Sequence, residues 1–538
     1  MIKNYDFVIL GGGHNGLIAT AYLAKAGFTT CCLEANDEFG GGTRSGEVTL
    51  PGYISDTGGM IHSMIARTPI IQNDELGLIE KYGLEYVSTK ALFCSIFPDN
   101  TTLVIDPDMD KACENIAKFS EHDAIAYRKF HDYMKQMMKV AAVGSQSPPP
   151  PYGSMHSAMY MSPEGREFQR VLNSSAQQIV EEWFESEQVR TTFTRWCTEM
   201  MIDPRAIGTA TLLYFVVNVH NPDLYKIAGK VNHEYPGSPF PKGGSAKFIQ
   251  ALQDCCTAEG AELFTNAFVD GITMDGDLVK SVTTKNGDEF VANNAVISTI
   301  NIKHVYQMLG DNAPADEAEQ IRHLKYADFS ALNQSFALDK IPEFKAGPEV
   351  LDAFCIEAAP IEKEYLQTFS SYTLGDFSPK LPLITMPCLL DPTRCPEGHC
   401  VVNIYQYAPY NLYGDPQNWV KYKEKLEREV WEFAKSLWTN ITDDNILGHW
   451  SLTPLEYEQW DPAFLHGDIG HIGLQPSQMY DLRPLVGKGH EYHGEIENLY
   501  FLGACSHPGA GIAAASRAGV QKVLEDYGVD FRDVVKKD

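Results

Sequence analysis

The 538-residue sequence lacks several features that define whole classes of protein. It has no run of about 18 apolar residues, so no segment is expected to cross a bilayer. Its 12 cysteines form no CxxC pair, and we expect them to be reduced and buried, as in a cytosolic protein. Basic residues are scarce, with 43 Lys and Arg against 71 Asp and Glu, for a formal net charge of −28. That excess repels nucleic acid and anionic lipid surfaces, so neither is expected as a partner.

The sequence also contains no common metal-binding pattern. The nearest grouping is Cys395-x4-Cys400 with His399, and its spacing matches neither the usual zinc motifs nor the iron–sulphur motifs. We therefore predict no metal site. No signal-peptide pattern precedes the first predicted strand, so we expect a cytoplasmic location.

The N-terminal segment contains the most informative pattern. An apolar run over 5–10 predicts a buried strand, the glycine-rich turn Gly11–Gly16 follows, and a helical pattern continues to Lys25. A second apolar run, over 29–33, ends at Glu34. This is the order of strand, glycine turn, helix, strand and acid that a dinucleotide-binding site requires.

Each residue type in this segment has a physical role in such a site. Gly11 permits the tight turn, Gly13 lets the backbone approach a pyrophosphate, and Gly16 lets helix and strand pack closely. The helix N-terminus offers free N–H groups and a positive dipole end to the phosphates. The Glu34 carboxylate can accept hydrogen bonds from ribose hydroxyl groups, and its charge disfavours a 2′-phosphate.

A second glycine cluster, Gly40-Gly41-Gly42-Thr43-Arg44-Ser45, follows the acid directly. It resembles the GG-x-x-R-S segment of two-dinucleotide-binding-domain flavoproteins, which lies along FAD. By that resemblance Gly41 and Gly42 approach the cofactor, and Arg44 lies near its phosphates or its flavin. An NAD site does not need this extension, so FAD is the predicted cofactor.

The chain is longer than a single hydrophobic core normally accommodates, so two lobes are expected. Nucleotide-fold patterns occur in 1–70, 238–310 and 486–530, and we assign these segments to a discontinuous Rossmann-like FAD-binding domain. The remaining segments, 71–237 and 311–485, are predicted to form an inserted α+β substrate-binding domain within an overall α/β fold. In these segments we predict a hairpin over 91–106, a proline-rich linker over 144–154, and helices over 73–82, 110–138, 163–201 and 417–438.

Two stretches of the predicted substrate-binding domain allow two interpretations each. The apolar run 208–217 is either an ordinary buried helix or a wall of an apolar cavity. Tyr405 and Tyr407 fall on the same face of a predicted strand, where they either line a pocket or pack in the core.

The C-terminal part repeats the strand-then-glycine pattern. A short apolar strand over 497–504 leads into Cys505-Ser506-His507-Pro508-Gly509-Ala510-Gly511-Ile512, and a helix is predicted over 513–527. A second helix N-terminus, far along the chain from the first, indicates a second electrostatic contact with the same cofactor.

Three segments narrow the resemblance: GGGHNGLIATAYLAKAGFTTCCLE at 11–34, the segment 453–484 that begins TPLEYEQWDPAF, and LYFLGACSHPGAGIAAASRAG at 499–519. The sequence resembles the phytoene desaturase-like branch of FAD-dependent oxidoreductases, nearest the pyridine nucleotide-disulphide oxidoreductase domain 2 type. The resemblance implies FAD and places Val269 at the adenine. The residues predicted to contact FAD are Gly11, Gly13, His14, Asn15, Gly16, Glu34, Ala35, Gly41, Gly42, Thr43, Arg44, Gly59, Met60, Val269, Gly503, Pro508, Gly511 and Ile512.

The resemblance also implies a dehydrogenase or desaturase that transfers hydride from a C–C bond of a largely apolar small molecule to flavin N5. Oxygen, a quinone or another protein would accept the electrons. His62 and His507 are the candidate bases, because each adjoins a predicted flavin-contacting glycine segment. Alternatives are a redox-neutral isomerase or a saturase using reduced FAD, an amine oxidase, and a non-catalytic FAD-binding scaffold.

Overall fold

The computed structural model describes residues 2–142, 146–509, 511 and 515–536, and no side chains over 138–142. Within these residues the chain forms two large sheets, each of seven strands, with helices packed against them. None of the described helices combines the length and the apolar character that a bilayer-spanning segment needs.

The strands are, in chain order, β1 Ile2–Leu10, β2 Thr30–Leu33, β3 Ser45–Gly46, β4 Ser55–Asp56, β5 Tyr86–Ser88, β6 Ala91–Ile96, β7 Thr102–Val104, β8 Pro239–Pro241, β9 Glu262–Phe264, β10 Val269–Asp275, β11 Leu278–Thr284, β12 Glu289–Ser298, β13 Ser330–Leu338, β14 Ala353–Ala358, β15 Pro382–Thr385, β16 Cys400–Ala408, β17 Ile446–Leu452 and β18 Leu499–Phe501.

The α-helices are, in chain order, α1 His14–Lys25, α2 Pro69–Gln72, α3 Met109–Ala117, α4 Glu121–Ala142, α5 Tyr152–Tyr160, α6 Pro163–Leu172, α7 Ala176–Trp183, α8 Glu187–Cys197, α9 Tyr214–Asn218, α10 Ala246–Ala258, α11 Ile302–Leu309, α12 Ala315–His323, α13 Glu362–Thr373, α14 Asn418–Ser436, α15 Pro454–Trp460, α16 Ala515–Asp526 and α17 Phe531–Val535.

The first sheet has a parallel core. Its strands run in the order β10-β11-β12-β1-β2-β9, and β18 adds to β12 beside β11. The pairs β1–β12, β1–β2, β2–β9 and β12–β18 are parallel, whereas β10, β11 and β12 form an antiparallel meander. Its strands fall within 1–70, 238–310 and 486–530.

Side-chain alternation along β1 explains why this sheet is covered on both faces. Phe7 and Ile9 pack in one core with α1, α10 and α16, and Val8 and Leu10 pack in another with α11. Successive side chains of a strand point to opposite faces, so a continuous apolar run signals burial on both. The carboxyl ends of the parallel strands are thereby left open at one edge.

The second sheet runs in the order β17-β13-β16-β15-β14-β6-β7, and every pair in it is antiparallel except β14–β6. One face packs on α14 through residues such as Phe336 and Ile404. Residues one position away, such as Asn333 and Tyr405, lie on the opposite face and line a cavity. These strands fall within 71–237 and 311–485.

The predicted α/β class with a Rossmann-like domain is confirmed by this architecture. The hairpin over 91–106 is present as β6–β7, and helices fill most of 163–201. The helix predicted over 73–82 is wrong, because the Asp74 carboxylate accepts hydrogen bonds from the Ile79 and Glu80 N–H groups and Gly77 adopts a positive φ of 68°. The linker over 144–154 ends earlier than predicted, since α5 begins at Tyr152, and residues 143–145 lie outside the described part.

Candidate active site

A cavity of about 790 Å³ lies where the first sheet faces the second. Leu10, Leu33 and Thr299 line it, and these residues stand at the carboxyl ends of β1, β2 and β12. Ligands of open parallel sheets bind at that edge, because connecting loops and helix N-termini meet there. We call the residues of the first sheet's edge and its glycine turns the cradle, and the face of the second sheet with its neighbouring helices the wall.

In the cradle, glycine residues allow main-chain segments to pack directly against one another. A Cβ atom on Gly16 would lie 1.9 Å from the Gly11 carbonyl oxygen, so only glycine lets α1 pack against the end of β1. A Cβ atom on Gly13 would meet nothing closer than the Gly41 Cα at 3.7 Å. Gly13 therefore keeps the cavity, rather than the protein interior, free of a side chain.

Helix α1 begins at this turn with its dipole unopposed. Gly13 is its N-cap, no side chain of the described residues caps its first N–H groups, and its first turn contains no acid. Uncapped N–H groups and the positive helix end together form an anion-binding site. The start of α1, with His14 and Asn15, lines the cavity.

Glu34 lies at the far end of the cradle, at the end of β2. Its two carboxylate oxygens accept hydrogen bonds from the Gly12 and Asn36 N–H groups, both at 2.8 Å. Burial raises the pKa of this carboxyl above its usual value, while the two backbone donors act in the opposite direction. The side chain is fixed in place and lines the cavity beside Ala35 and Val269.

Arg44 is buried beside the cradle. Its guanidinium group lies 4.4 Å from the Trp460 ring centre and 3.8 Å from a carboxylate oxygen of Asp461, both of which line the cavity. Among the described residues, its Nε and Nη2 atoms donate no hydrogen bond. A buried cation with unused donors is costly unless an acceptor completes its shell.

The C-terminal segment joins the same cavity. Gly511 lines the cavity and its backbone lies beside His14. Asn15 Oδ1 accepts hydrogen bonds from the Ser516 backbone N–H at 3.2 Å and from its hydroxyl at 3.3 Å, which fixes the start of α16 against the start of α1.

The structure thus brings most of the residues predicted to contact FAD to one cavity. The predicted residues that line it are Gly11, Gly13, His14, Asn15, Glu34, Ala35, Gly41, Gly42, Thr43, Gly59, Met60, Val269 and Gly511. The described residues predicted to contact FAD that are not part of the lining are Gly16, Arg44, Gly503 and Pro508. Ile512 lies outside the described residues.

Neither predicted catalytic histidine is among the described residues that line the cavity. The His62 ring is fully buried and is hydrogen bonded with the Tyr86 hydroxyl at 2.9 Å and the Ser245 hydroxyl at 3.3 Å. Burial lowers the pKa of His62 to about 3, so the ring is neutral. His507 is also buried, and its carbonyl oxygen accepts a hydrogen bond from the Tyr492 hydroxyl at 3.2 Å.

The wall is mainly apolar and comes from many separate elements. Its apolar and aromatic members include Phe93, Trp196, Met200, Phe215, Leu383 and Tyr405. The Phe93 and Trp196 rings stack with centroids 4.2 Å apart. For the two open interpretations, the run 208–217 is a short helical segment of which Phe215 lines the cavity, and Tyr405 lines it whereas Tyr407 is buried in a core cluster.

The wall also contains a polar group that the sequence did not reveal. Glu199 lines the cavity, and its Oε1 accepts hydrogen bonds from Arg195 Nη1 at 2.8 Å and from the Tyr407 hydroxyl at 2.6 Å. Arg195 has no exposed surface, and Glu357, equally buried, lies 3.8 Å from it. No motif marks Glu199, which follows α8 in a short 3₁₀ turn.

The residues at the cavity fit a large ligand with an anionic middle. Among the described residues, buried nitrogen atoms without hydrogen-bond partners occur on His14 (Nε2), on Arg44, on Asn403 (Nδ2) and on His471 (Nδ1). Arg44 lies by the glycine turns and the other three line the cavity, so polar nitrogen atoms are available along its length. A dinucleotide with phosphates at the start of α1, a ribose at Glu34 and a ring system toward the wall would satisfy this arrangement.

Comparisons with known proteins agree with this geometry. Residues 9–70 match the family described as NAD(P)-binding Rossmann-like domain, and residues 162–343 match the family described as flavin containing amine oxidoreductase. The first match covers the glycine turn and the acid, and the second covers both Glu199 and the meander of the first sheet.

Several curated relatives extend over almost the whole chain. Pyridine nucleotide-disulfide oxidoreductase domain-containing protein 2 of Rattus norvegicus is 25% identical, over 97% of this chain and 94% of the relative. One of the limonene dehydrogenase subunits of Castellaniella defragrans is 24% identical, over 98% and 96%. A lycopene-forming phytoene desaturase of Pantoea ananas is 23% identical, over 96% and 99%.

Solved structures share the fold. An oxidoreductase from Methanosarcina mazei superposes with a TM-score of 0.60 at 15% identity, over 98% of this chain and all of the other. A putrescine oxidase redesigned in its cofactor binding superposes with a TM-score of 0.62 at 12% identity, over 100% of both chains. The matched domains and the full-length relatives are consistent with a phytoene desaturase-like FAD-dependent oxidoreductase, and they indicate FAD as the cofactor.

Proposed function

We propose that the chain is an FAD-dependent dehydrogenase that removes two hydrogens from a C–C bond of a largely apolar small molecule. The observation that supports this most directly is the asymmetry of the cavity. Its cradle offers backbone donors for a dinucleotide, and its wall offers stacked aromatic and aliphatic side chains for an apolar body.

When bound, FAD would supply a two-electron acceptor that takes a hydride at flavin N5, and the second hydrogen would leave the substrate as a proton that passes to bulk solvent. The protein's residues would do the rest. The glycine turns and the start of α1 would hold the phosphates, and Glu34 would hold the ribose. Phe93, Trp196 and Leu383 would exclude water and hold the reacting C–H bond in place, because orientation and a dry site supply much of the rate.

The proposed role of Arg44 is to clamp the cofactor rather than to act on the substrate. Its unused Nε and Nη2 donors lie next to the glycine turns that would surround the phosphates. Trp460 and Asp461, from the second lobe, hold it in position. We propose a cytoplasmic enzyme, whose electrons pass to oxygen, a quinone or another protein.

Anaerobic mixing of the purified holoprotein with candidate substrates tests this function. We expect a C10 alicyclic compound such as limonene or perillyl alcohol to bleach the oxidised flavin band and to yield a product two hydrogens lighter by mass spectrometry. Free FAD under the same conditions is the control and should stay oxidised.

Other results would contradict the proposal and favour the alternatives. Bleaching by cyclohexylamine alone would indicate an amine oxidase. Product formation only after chemical reduction of the flavin would indicate a saturase or a redox-neutral isomerase. Stoichiometric FAD without turnover by any donor would indicate a scaffold.

A further inference from the structure

The polar group in the wall has a specific geometry. Glu199 uses only one of its carboxylate oxygens within the protein, because Oε1 accepts both the Arg195 and the Tyr407 hydrogen bonds. In the part of the chain that the structure describes, Oε2 accepts no hydrogen bond. The residue lines the cavity, with 25% of its side chain exposed.

The partners of Glu199 are held rigidly. Arg195 also donates to Thr198 Oγ1 at 3.1 Å, and its guanidinium group lies 4.3 Å from the centre of the Tyr407 ring. All three residues lie at the junction of α8 with β16, and Arg195 and Tyr407 have no exposed surface. A carboxylate fixed in this way keeps one oxygen directed at a ligand without losing side-chain entropy on binding.

The charge of the cluster favours a neutral ligand. The Glu199 carboxylate is already matched by the Arg195 guanidinium in a direct ion pair at 2.8 Å. Glu357 also lies 3.8 Å from this guanidinium, but burial raises the pKa of Glu357 and so favours its uncharged form. A ligand that brought its own positive charge would add a charge to a buried pair already balanced, at a desolvation cost. A hydroxyl group brings a donor and no charge.

We propose that Glu199 is a substrate-recognition residue that accepts a hydrogen bond from a hydroxyl group at one end of an otherwise apolar substrate, with Arg195 and Tyr407 as its positioning residues. The substrate class is then an alicyclic or terpenoid alcohol rather than a pure hydrocarbon. This inference rests on the proposed function.

The size of the cavity favours a compact alcohol. Cavities of about 300 to 1,000 Å³ hold one drug-sized ligand, and this one, at about 790 Å³, includes the cradle. The dinucleotide would take the cradle, so only part of this volume is left for a substrate, which favours a single-ring skeleton over a long chain. Perillyl alcohol and limonene share one such skeleton and differ only in the hydroxyl group.

Titration of the holoprotein with this pair, followed by calorimetry and by perturbation of the flavin spectrum, tests the inference without requiring turnover. Wild-type protein should bind perillyl alcohol about 10- to 100-fold more tightly than limonene, the usual gain from a hydrogen bond to a charged group. In Glu199→Leu the ratio should fall to within about threefold, while the affinity for limonene is kept. Tyr407→Phe should reduce the ratio partially.

Glu362→Gln is the matched control. It breaks another Glu–Arg pair made by α8, with Arg190 at 2.5 Å, and Glu362 does not line the cavity. It should leave the ratio unchanged. Equal binding of the two probes by wild type, binding of neither, or an unchanged ratio in Glu199→Leu would overturn the inference.

Further outcomes of this titration distinguish the recognition role of Glu199 from the proposed dehydrogenase activity. Tighter binding of perillylamine than of perillyl alcohol would overturn the preference for a neutral donor. A clear alcohol preference without any flavin bleaching would refute the proposed dehydrogenase but not the recognition role. Bleaching by limonene with no preference for the alcohol would support the proposed dehydrogenase but refute the recognition role of Glu199.

Discussion

The cradle and the wall face each other across one cavity but are built in different ways. The cradle is formed by glycine backbone and a helix N-terminus, and its key distances join main-chain atoms, as at Gly16 and Gly11. The wall is formed by side chains that reach inward from α8, β14, β15 and β16. A backbone site of this kind fixes one ligand shape, whereas a side-chain surface can change its specificity without changing the fold.

The largest expected effect follows from adding one methyl group to the cradle. Gly16→Ala places a Cβ atom 1.9 Å from the Gly11 carbonyl oxygen, so α1 must move away from β1. We expect a loss of about 3 kcal/mol or more of unfolding free energy, seen as poor soluble yield and a lower melting temperature. Gly13→Ala is the control, because its Cβ meets nothing within 3.7 Å; it should keep the fold and lose FAD. Equal stability of Gly16→Ala and wild type would contradict the view that the cradle, unlike the wall, depends on close packing of backbone atoms.

An intermediate effect is expected where the two regions meet. Arg44→Gln removes a buried guanidinium group whose Nε and Nη2 donate no hydrogen bond within the described protein. If these donors serve the cofactor, FAD should bind about 10- to 100-fold more weakly, because hydrogen bonds to charged groups contribute about 1.5–3 kcal/mol. Equilibrium dialysis or flavin fluorescence measures the change. Trp460→Leu, which removes only the ring beside the guanidinium, should weaken FAD binding less, and a larger effect than that of Arg44→Gln would contradict the clamp.

The smallest effect per experimental step, here one pH unit, is expected from a charge buried behind the wall. Burial raises the pKa of the Glu357 carboxyl from 4.5 to about 8, more than the nearby Arg195 lowers it. The folded protein therefore holds a proton that the unfolded chain releases, so stability should fall as the pH rises from about 4.5 to about 8, by at most about 1.4 kcal/mol per pH unit. Above that range the contribution is lost and the dependence ends.

Glu357→Gln should remove this component of the pH dependence, since the amide does not titrate. When melting temperature is plotted against pH, the curves of wild type and variant should differ in slope, not only by a constant offset. Parallel curves would show that Glu357 is ionised throughout, with Arg195 as its counter-ion.

The two regions also differ in how far the sequence predicts them. The segment Gly11–Glu34 is a local pattern in which each residue's role follows from its neighbours, so the fold and the cradle's position were predictable. Gly511 was predictable because a strand, a glycine turn and a helix repeat the same order. Such signals lie within a few tens of residues and can be recognised without knowledge of tertiary contacts.

The wall has no comparable signal. Glu199 follows a helix as an ordinary acidic residue, and only the pairing of β13, β16, β15 and β14 brings Tyr407 and Glu357 beside it. His62 and His507 adjoin glycine turns in the sequence, yet neither is among the described residues that line the cavity, and the His62 ring is hydrogen bonded with Tyr86 and Ser245. Side-chain direction depends on packing partners far along the chain, which a local pattern does not contain.

The hydrogen bonds between Asn15 and Ser516 join positions 501 apart. In biosynthesis the glycine turn therefore emerges early, but β18 and α16, which complete the same pocket, emerge only after all strands of the second sheet have been translated. A partly synthesised chain has the first half of the pocket and nothing to close it. The complete pocket is consequently available to a prosthetic group only after Ser516 has been synthesised.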